Sequence, residues 1–488
     1  MRTARAAAPF AVLAALLAGA LPFVVSVTAW PEIVTPAWFV TRGVRLYDGI
    51  LFPHTPLLIL LTAAAAALFG FTANVLRAIP ALSLAAAGAL VVLGTRPHRR
   101  ARSGPLAALV VGVPVLALLT VYAEGPAIWP EPFLAPLLLG GVLLLERHGR
   151  TGALRDVAAA GLVFGAGILV KQTSAWAALA ALLWVALRGR RRAALLFGGA
   201  AALPYLGFAL SWALAFQTTR HLAWTLIYPV FSGMSREIAV QLTGADVHEA
   251  LVLFVPFAAL GLSAAALPTR RLRSPRSPLI AVTLGAAAMA WPRPGLLHFA
   301  ALTGLCALAA ARTALVLPVV FRRLRKSRGG PLRLLAAAGG AAAFAVFLGV
   351  AALGAGPLLL DRVGGPVFYW DDSATRAAAA DVRSRVPAGG TLLVHGALQN
   401  LYPLTGTGAP GGFYVNPSFW YCLRRDRGDE RLVDALAASP GLPILFREPI
   451  ADAERIRATA VYAFVKEKAR PAGNAGDAEW RAVPAPGR

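Results

Sequence analysis

Apolar runs of spanning or near-spanning length recur from the start of the chain to about residue 355, and a helix rising 1.5 Å per residue crosses a bilayer core in about 20 residues. They cover approximately residues 7–29, 76–94, 104–123, 130–146, 157–170, 173–188, 193–216, 250–267, 277–291, 298–320 and 333–355. A further run, 55–71, is short and follows a proline-rich approach. Composition agrees: 58% of the 488 residues are hydrophobic and 14% charged, against about a quarter charged in ordinary soluble domains. A soluble fold is thereby excluded.

The formal charge of +24, from 47 Lys and Arg against 23 Asp and Glu, would suggest a nucleic-acid partner in a soluble chain. Here the basic residues fall in every second loop: Arg96 to Arg102, Arg147 to Arg155, Arg188 to Arg192, Arg270 to Arg276 and Arg322 to Arg333. That alternation is the positive-inside bias, so it reports topology and no nucleic acid is expected. Eleven spans with a cytoplasmic N-terminus put all five clusters inside and the C-terminus outside. Segment 55–71 then reads as re-entrant, since a single crossing would break the parity. The run after Arg2 and Arg5 is longer than a signal-peptide core and lacks Ala-x-Ala, and is read as an uncleaved first span. Cys306 lies in an apolar run and Cys422 in a polar region, which gives no disulfide framework.

These features predict an α-helical polytopic membrane protein of about eleven to twelve transmembrane helices in residues 1–355. A small extracytoplasmic α/β domain is expected in 361–488, and a large first outer loop, 30–75, with short helices lying at the membrane interface. In the tail, SATRAAAADVRSRV and DERLVDALAAS have helical spacing, GGTLLVHG and LPILF read as strands, PLTGTGAPGG as a turn, and the last fifteen residues as frayed.

Ionisable residues at membrane depth or in the outer loops are the candidates for chemistry. Glu32, just past the first span, is either a general base shielded by Trp30 and Trp38 or an interfacial acid. Asp48 and His54 flank ILFP, where Pro53 and Pro56 stiffen the histidine; a solvated loop explains Asp48 equally well. Glu124 and Glu131 bracket EGPAIWPEP, placed to orient a substrate or a cation, or in the case of Glu131 to complement a helix N-terminus. Lys171 and Gln172 end an apolar run on the outer side, where Lys171 either snorkels or meets a lipid phosphate. Arg293 and His298 in WPRPGLLHF offer a phosphate contact or a topological anchor. Arg220, His221, Arg236, Asp246, His248 and Glu249 share the outer loop 217–249 and could shape an acceptor groove, while His395 and Tyr402 read as structural. No P-loop, HExxH, GxSxG, dinucleotide fingerprint or zinc spacing is present, so no metal ligand set is assigned; a divalent cation assisting Glu32 and Glu131 is left open.

The arrangement resembles the GT-C superfamily of polytopic glycosyltransferases, which includes the protein O-mannosyltransferases and lipid A aminoarabinose transferases. Their acid after the first span and their G-x-x-x-Y-x-D and H-P-P-L motifs correspond to Glu32, to Gly43, Tyr47 and Asp48, and to His54-Thr55-Pro56-Leu57. WPEPFLAPLLLGGVLLLER with Glu131, GLVFGAGILVKQTSAW with Lys171, and WPRPGLLHF with His298 are similar to later motifs. The chain departs from the family in having Glu for the first-loop Asp, His-Thr-Pro for His-Pro-Pro and His298-Phe299 for His-Tyr. The resemblance implies an enzyme of a bacterial inner membrane that moves a sugar, with inversion, from a polyprenyl-phosphate-linked donor to a lipid, glycan or protein acceptor at the outer face. It implies Glu32 as base, with Lys171, Arg293 and His298 neutralising the departing phosphate. The competing readings are a transporter or flippase for a lipid-linked or anionic substrate, and a scaffold or sensor.

Overall fold

The computed structural model describes residues 2–95, 104–123, 125–188, 190–227, 278–289, 296–326, 349, 353, 359–396, 398–415, 428–448, 457–475 and 478–484. Two compact units share the chain: one of Met1–Ser26, Ala78–Ala215 and Ser235–Gly365, the other of Val27–Arg77, Phe216–Met234 and Pro366–Arg488. The protein is a helical polytopic membrane protein with a small C-terminal α/β domain. The expected spans 250–267 and 333–355 and the basic loops 96–102 and 270–276 lie wholly or largely outside the described residues.

The first unit is built from α1 (Arg2–Val24), α4 (Ala73–Gly94), α5 (Gly104–Tyr122), α6 (Pro130–Thr151), α7 (Leu154–Val170), α8 (Ala175–Leu187), α9 (Arg191–Phe216), α10 (Pro278–Ala288) and α11 (Thr303–Lys326), α4 beginning in the second. Of these, α1 from Ala7, α4, α5 and α9 are long and apolar enough to cross a membrane. On α9, Leu195, Leu203, Leu206, Leu210 and Leu214 are exposed, as suits a helix whose solvent is lipid. Close approach of α7 and α9 depends on Gly161 and Gly165, one turn apart. A Cβ on Gly161 would stand 2.6 Å from the Phe197 carbonyl oxygen, and one on Gly165 would strike that of Ala201. Near the basic end of α6, Arg312 of α11 grips Glu146 bidentately at 2.6 and 2.7 Å and donates to the Gly94 carbonyl at 2.7 Å.

The second unit joins the first loop to the tail. In it, β1 (Val27–Thr28) pairs in parallel with β3 (Val367–Phe368), and β2 (Ile50–Leu51) with β5 (Tyr414–Val415). Between β1 and β2 runs α2 (Pro31–Thr41), packed on α3 (Leu57–Phe69). At thirteen residues α3 spans about 20 Å, short of a bilayer core. On α2, Ile33, Val34, Ala37, Trp38 and Phe39 are all buried, Phe39 stacking on Tyr414 at 4.9 Å. Protein covers its apolar face.

The tail forms α12 (Ser373–Arg385), β4 (Leu393–His395), α13 (Leu401–Thr405), α14 (Gly428–Ala437), β6 (Pro443–Phe446), α15 (Ala460–Glu467), β7 (Arg470–Ala475) and β8 (Ala478–Ala482). The sheet order is β4-β6-β8-β7, with β4 and β6 parallel and the other pairs antiparallel. The last fifteen residues, expected to fray, hold β8 and the end of β7, with Trp480 and Val483 buried as anchors. Helix starts are capped by acids: Asp372 accepts from the Thr375 amide at 3.0 Å, and Asp429 from the Ala460 and Val461 amides.

Candidate active site

In the first unit, three of the predicted residues meet. Pro130 opens α6 at a position where its missing N–H costs nothing, and puts Glu131 in the first turn, where a carboxylate complements the helix dipole. The Ser83 hydroxyl donates to the Pro132 carbonyl at 2.9 Å and holds that turn against α4. Lys171 sits in a break: α7 ends at Val170, Lys171 is extended, and a 3-10 turn, Gln172–Ser174, leads into α8. The break directs Lys171 inward, where its ammonium binds Glu131 Oε1. His298, in the short helical turn Leu296–Phe299, brings Nδ1 to the same oxygen.

Glu131 and Lys171 are buried, at 2% and 7% exposure, and the His298 side chain is 20% exposed. A buried ion pair survives only if its charges compensate each other, and here one carboxylate oxygen serves two basic groups whose nitrogens stand 3.4 Å apart. Glu131 Oε2 is buried and has no hydrogen-bond partner among the described residues, which leaves it free to accept from a bound hydroxyl or amine. Gln172, one residue on, is half-buried.

The other candidates lie in the second unit. Glu32 is half-buried in the first turn of α2. Tyr47, fully buried with φ +69°, donates its hydroxyl to the His54 carbonyl at 2.9 Å, so the sharp 47–54 turn is cross-braced. The His54 ring meets Phe52 edge-on at 5.3 Å. Asp48 pairs with Arg220 at 3.8 Å, both partly exposed. His221 is buried near Tyr47, and desolvation lowers its pKa. Glu124, Arg236, Asp246, His248, Glu249, Arg293 and Cys422 lie outside the described residues. Among the described residues no three His, Cys, Asp or Glu side chains gather as a metal site.

Sequence reasoning weighed Lys171 for a phosphate and Glu131 for a substrate or cation, and missed that they bind one another. It also missed Glu146 with Arg312, although a charge inside each of two apolar runs was the signal.

A family model for dolichyl-phosphate-mannose-protein mannosyltransferases matches residues 53–216. No curated protein sequence matches the chain. The fold is similar to that of ArnT from Cupriavidus metallidurans bound to undecaprenyl phosphate, with TM-score 0.54 and 12% identity over 98% of this chain and 97% of that one. It is also similar to the oligosaccharyltransferase AglB from Archaeoglobus fulgidus in complex with an inhibitory peptide and a dolichol-phosphate, with TM-score 0.50 and 14% identity over 90% of this chain and 69% of that one. The chain thus shares its fold with ArnT and AglB, and residues 53–216 are similar to the dolichyl-phosphate-mannose-protein mannosyltransferase family.

Proposed function

We propose that the protein is a membrane glycosyltransferase that takes a sugar from a polyprenyl-phosphate-linked donor and transfers it, with inversion, to a hydroxyl or amine acceptor at the extracytoplasmic face of a bacterial inner membrane. The observation that carries the reading is the trio of buried Glu131 and Lys171 with part-buried His298 inside a GT-C-like fold. Both solved neighbours hold a polyprenyl phosphate, which supports a lipid-phosphate donor.

In this mechanism the acceptor O–H or N–H gives its proton to the Glu32 carboxylate as the acceptor attacks the anomeric carbon. The bond from that carbon to the phosphate oxygen breaks, and the polyprenyl phosphate departs with the electron pair. Lys171 and His298 stabilise the charge that builds on the phosphate, and Glu131 fixes both in place. Arg293 joins them in this role, with Gln172 a polar neighbour of Lys171. On this reading Asp48 and His54 of the first loop are further catalytic residues. A bound divalent cation would add positive charge beside the phosphate.

The test is transfer of radiolabelled sugar from undecaprenyl phosphate sugars by the purified protein in liposomes. Glu32→Gln is expected to lower turnover by about 100-fold or more while the protein stays folded. Normal transfer by that variant sinks the base assignment; donor movement across the bilayer with no transfer by wild type favours a flippase.

A further inference from the structure

One buried side chain ties the loop that carries Glu32 to the C-terminal domain. Asn400 is 1% exposed and stands at the N-terminal end of α13. Its carboxamide nitrogen donates to the Ala29 carbonyl at 2.8 Å and to the Tyr369 carbonyl at 2.8 Å, and its oxygen accepts from the Thr35 hydroxyl at 2.9 Å. Two carbonyls accept only, so the NH2 must face them and the amide has one orientation. Ala29 and Thr35 bracket Glu32, one before α2 and one in its second turn, and both are fully buried.

The third partner is unusual in a different way. Tyr369 has φ +63°, a strained conformation for a residue with a Cβ. It is held there from both sides, its amide donating to Asp372 Oδ2 at 2.8 Å and its carbonyl accepting from Asn400. So held, its ring lies 5.6 Å from that of Trp30, the residue that precedes α2. Strain, a near-saturated buried amide and an aromatic contact therefore all act on the same turn of helix.

We infer that Asn400 is a positioning residue for the transfer reaction, its carboxamide fixing the backbone on both sides of Glu32 and so setting where that carboxylate stands. The inference rests on the proposed role of Glu32, yet the placement can be read without it. It assigns the C-terminal domain a part in building the site from a distance along the chain of 365 residues from Thr35.

The experiment uses the full chain in liposomes, with Asn400→Ala, Asn400→Asp and the milder Thr35→Val, which removes only one of the three bonds. Three readouts are taken together: carbodiimide labelling of Glu32 by mass spectrometry, amide hydrogen exchange, and kcat against donor KM. Asn400→Ala is expected to change the labelling rate of Glu32 and to speed exchange in 29–41 while 443–446 and 478–482 stay protected. Its kcat should fall about 10- to 100-fold with the donor KM near that of wild type. Asn400→Asp should be worse than Ala, since a carboxylate would face two carbonyls, and Thr35→Val should show the same changes to a smaller degree. Unchanged Glu32 labelling and local exchange in a folded Asn400→Ala or Thr35→Val overturns the inference, as does a uniform rise of exchange across the unit in both. Normal transfer by Glu32→Gln sinks the base assignment alone, because the labelling and exchange changes still report the positioning.

Discussion

The carboxylate of Glu131 stabilises its surroundings only as part of a set. Removing Lys171 leaves the buried Glu131 carboxylate with His298 alone, and breaking a buried pair in this way costs about 3–5 kcal/mol. Lys171→Ala should therefore lose both activity and thermal stability, while Glu131→Gln with Lys171→Met should recover much of the stability and none of the transfer, as read by melting and turnover side by side. A second residue-scale expectation concerns His395, buried between Phe446 and Tyr462 with desolvation lowering its pKa to about 4. The unfolded chain binds its proton near 6.5, so between these values unfolding takes up a proton. Stability is whole above pH 6.5 and falls as the pH drops towards 4, by up to roughly 3 kcal/mol. Melting curves of the full chain across that range should show the loss, and His395→Phe should flatten it. At this scale the sequence marked Glu131, Lys171 and His298 one by one, because charge next to an apolar run is visible in a string of letters. Their mutual contact was not visible, since it depends on how α6, the α7–α8 break and the turn at 296–299 are packed.

Among the elements, α7 and α9 make the sharpest demand. Gly161 and Gly165 of GLVFGAG, noted in the sequence only as part of a motif, stand where a side chain would displace a neighbouring backbone. Gly165→Ala is expected to destabilise the protein by roughly 1–3 kcal/mol through overpacking. Gly199→Ala, where nothing lies within 4 Å, should be neutral or stabilising in the same melting assay. Helix positions were largely legible because hydropathy is a one-dimensional signal, and α12, α14, β4 and β6 appear where spacing put them. The two-residue strands β1, β2, β3 and β5 are too short to carry a period. The order of the last fifteen residues was missed because their composition looks like loop, whereas Trp480 of β8 is buried.

Across the whole molecule, the tail does not close its own core. Tyr402 and Tyr414 are covered by Phe39 from the first loop, and β3 and β5 pair with strands from that same loop. A fragment of 361–488 made alone is expected to bind hydrophobic dyes and to melt without a cooperative transition, whereas a fusion carrying 27–77 should regain one by circular dichroism. Composition pointed to a domain boundary near 361, and composition cannot reveal that a partner segment lies hundreds of residues upstream.

The pairing of Val27 with Val367 has a bearing on how the protein comes into being. At synthesis rates of about 5–20 residues per second, a ribosome reaches residue 366 about 15 to 60 s after residue 77. For that interval Trp38, Phe39 and the turn bearing Glu32 are outside the translating helices without the segment that buries them, and they need shelter from a chaperone or from lipid. The loop acquires its final form only when residues 366–415 arrive. If Glu32 has its proposed role, a chain stopped short is left inert as well as incomplete, so that in the order of its own manufacture the last part made is what arms the first.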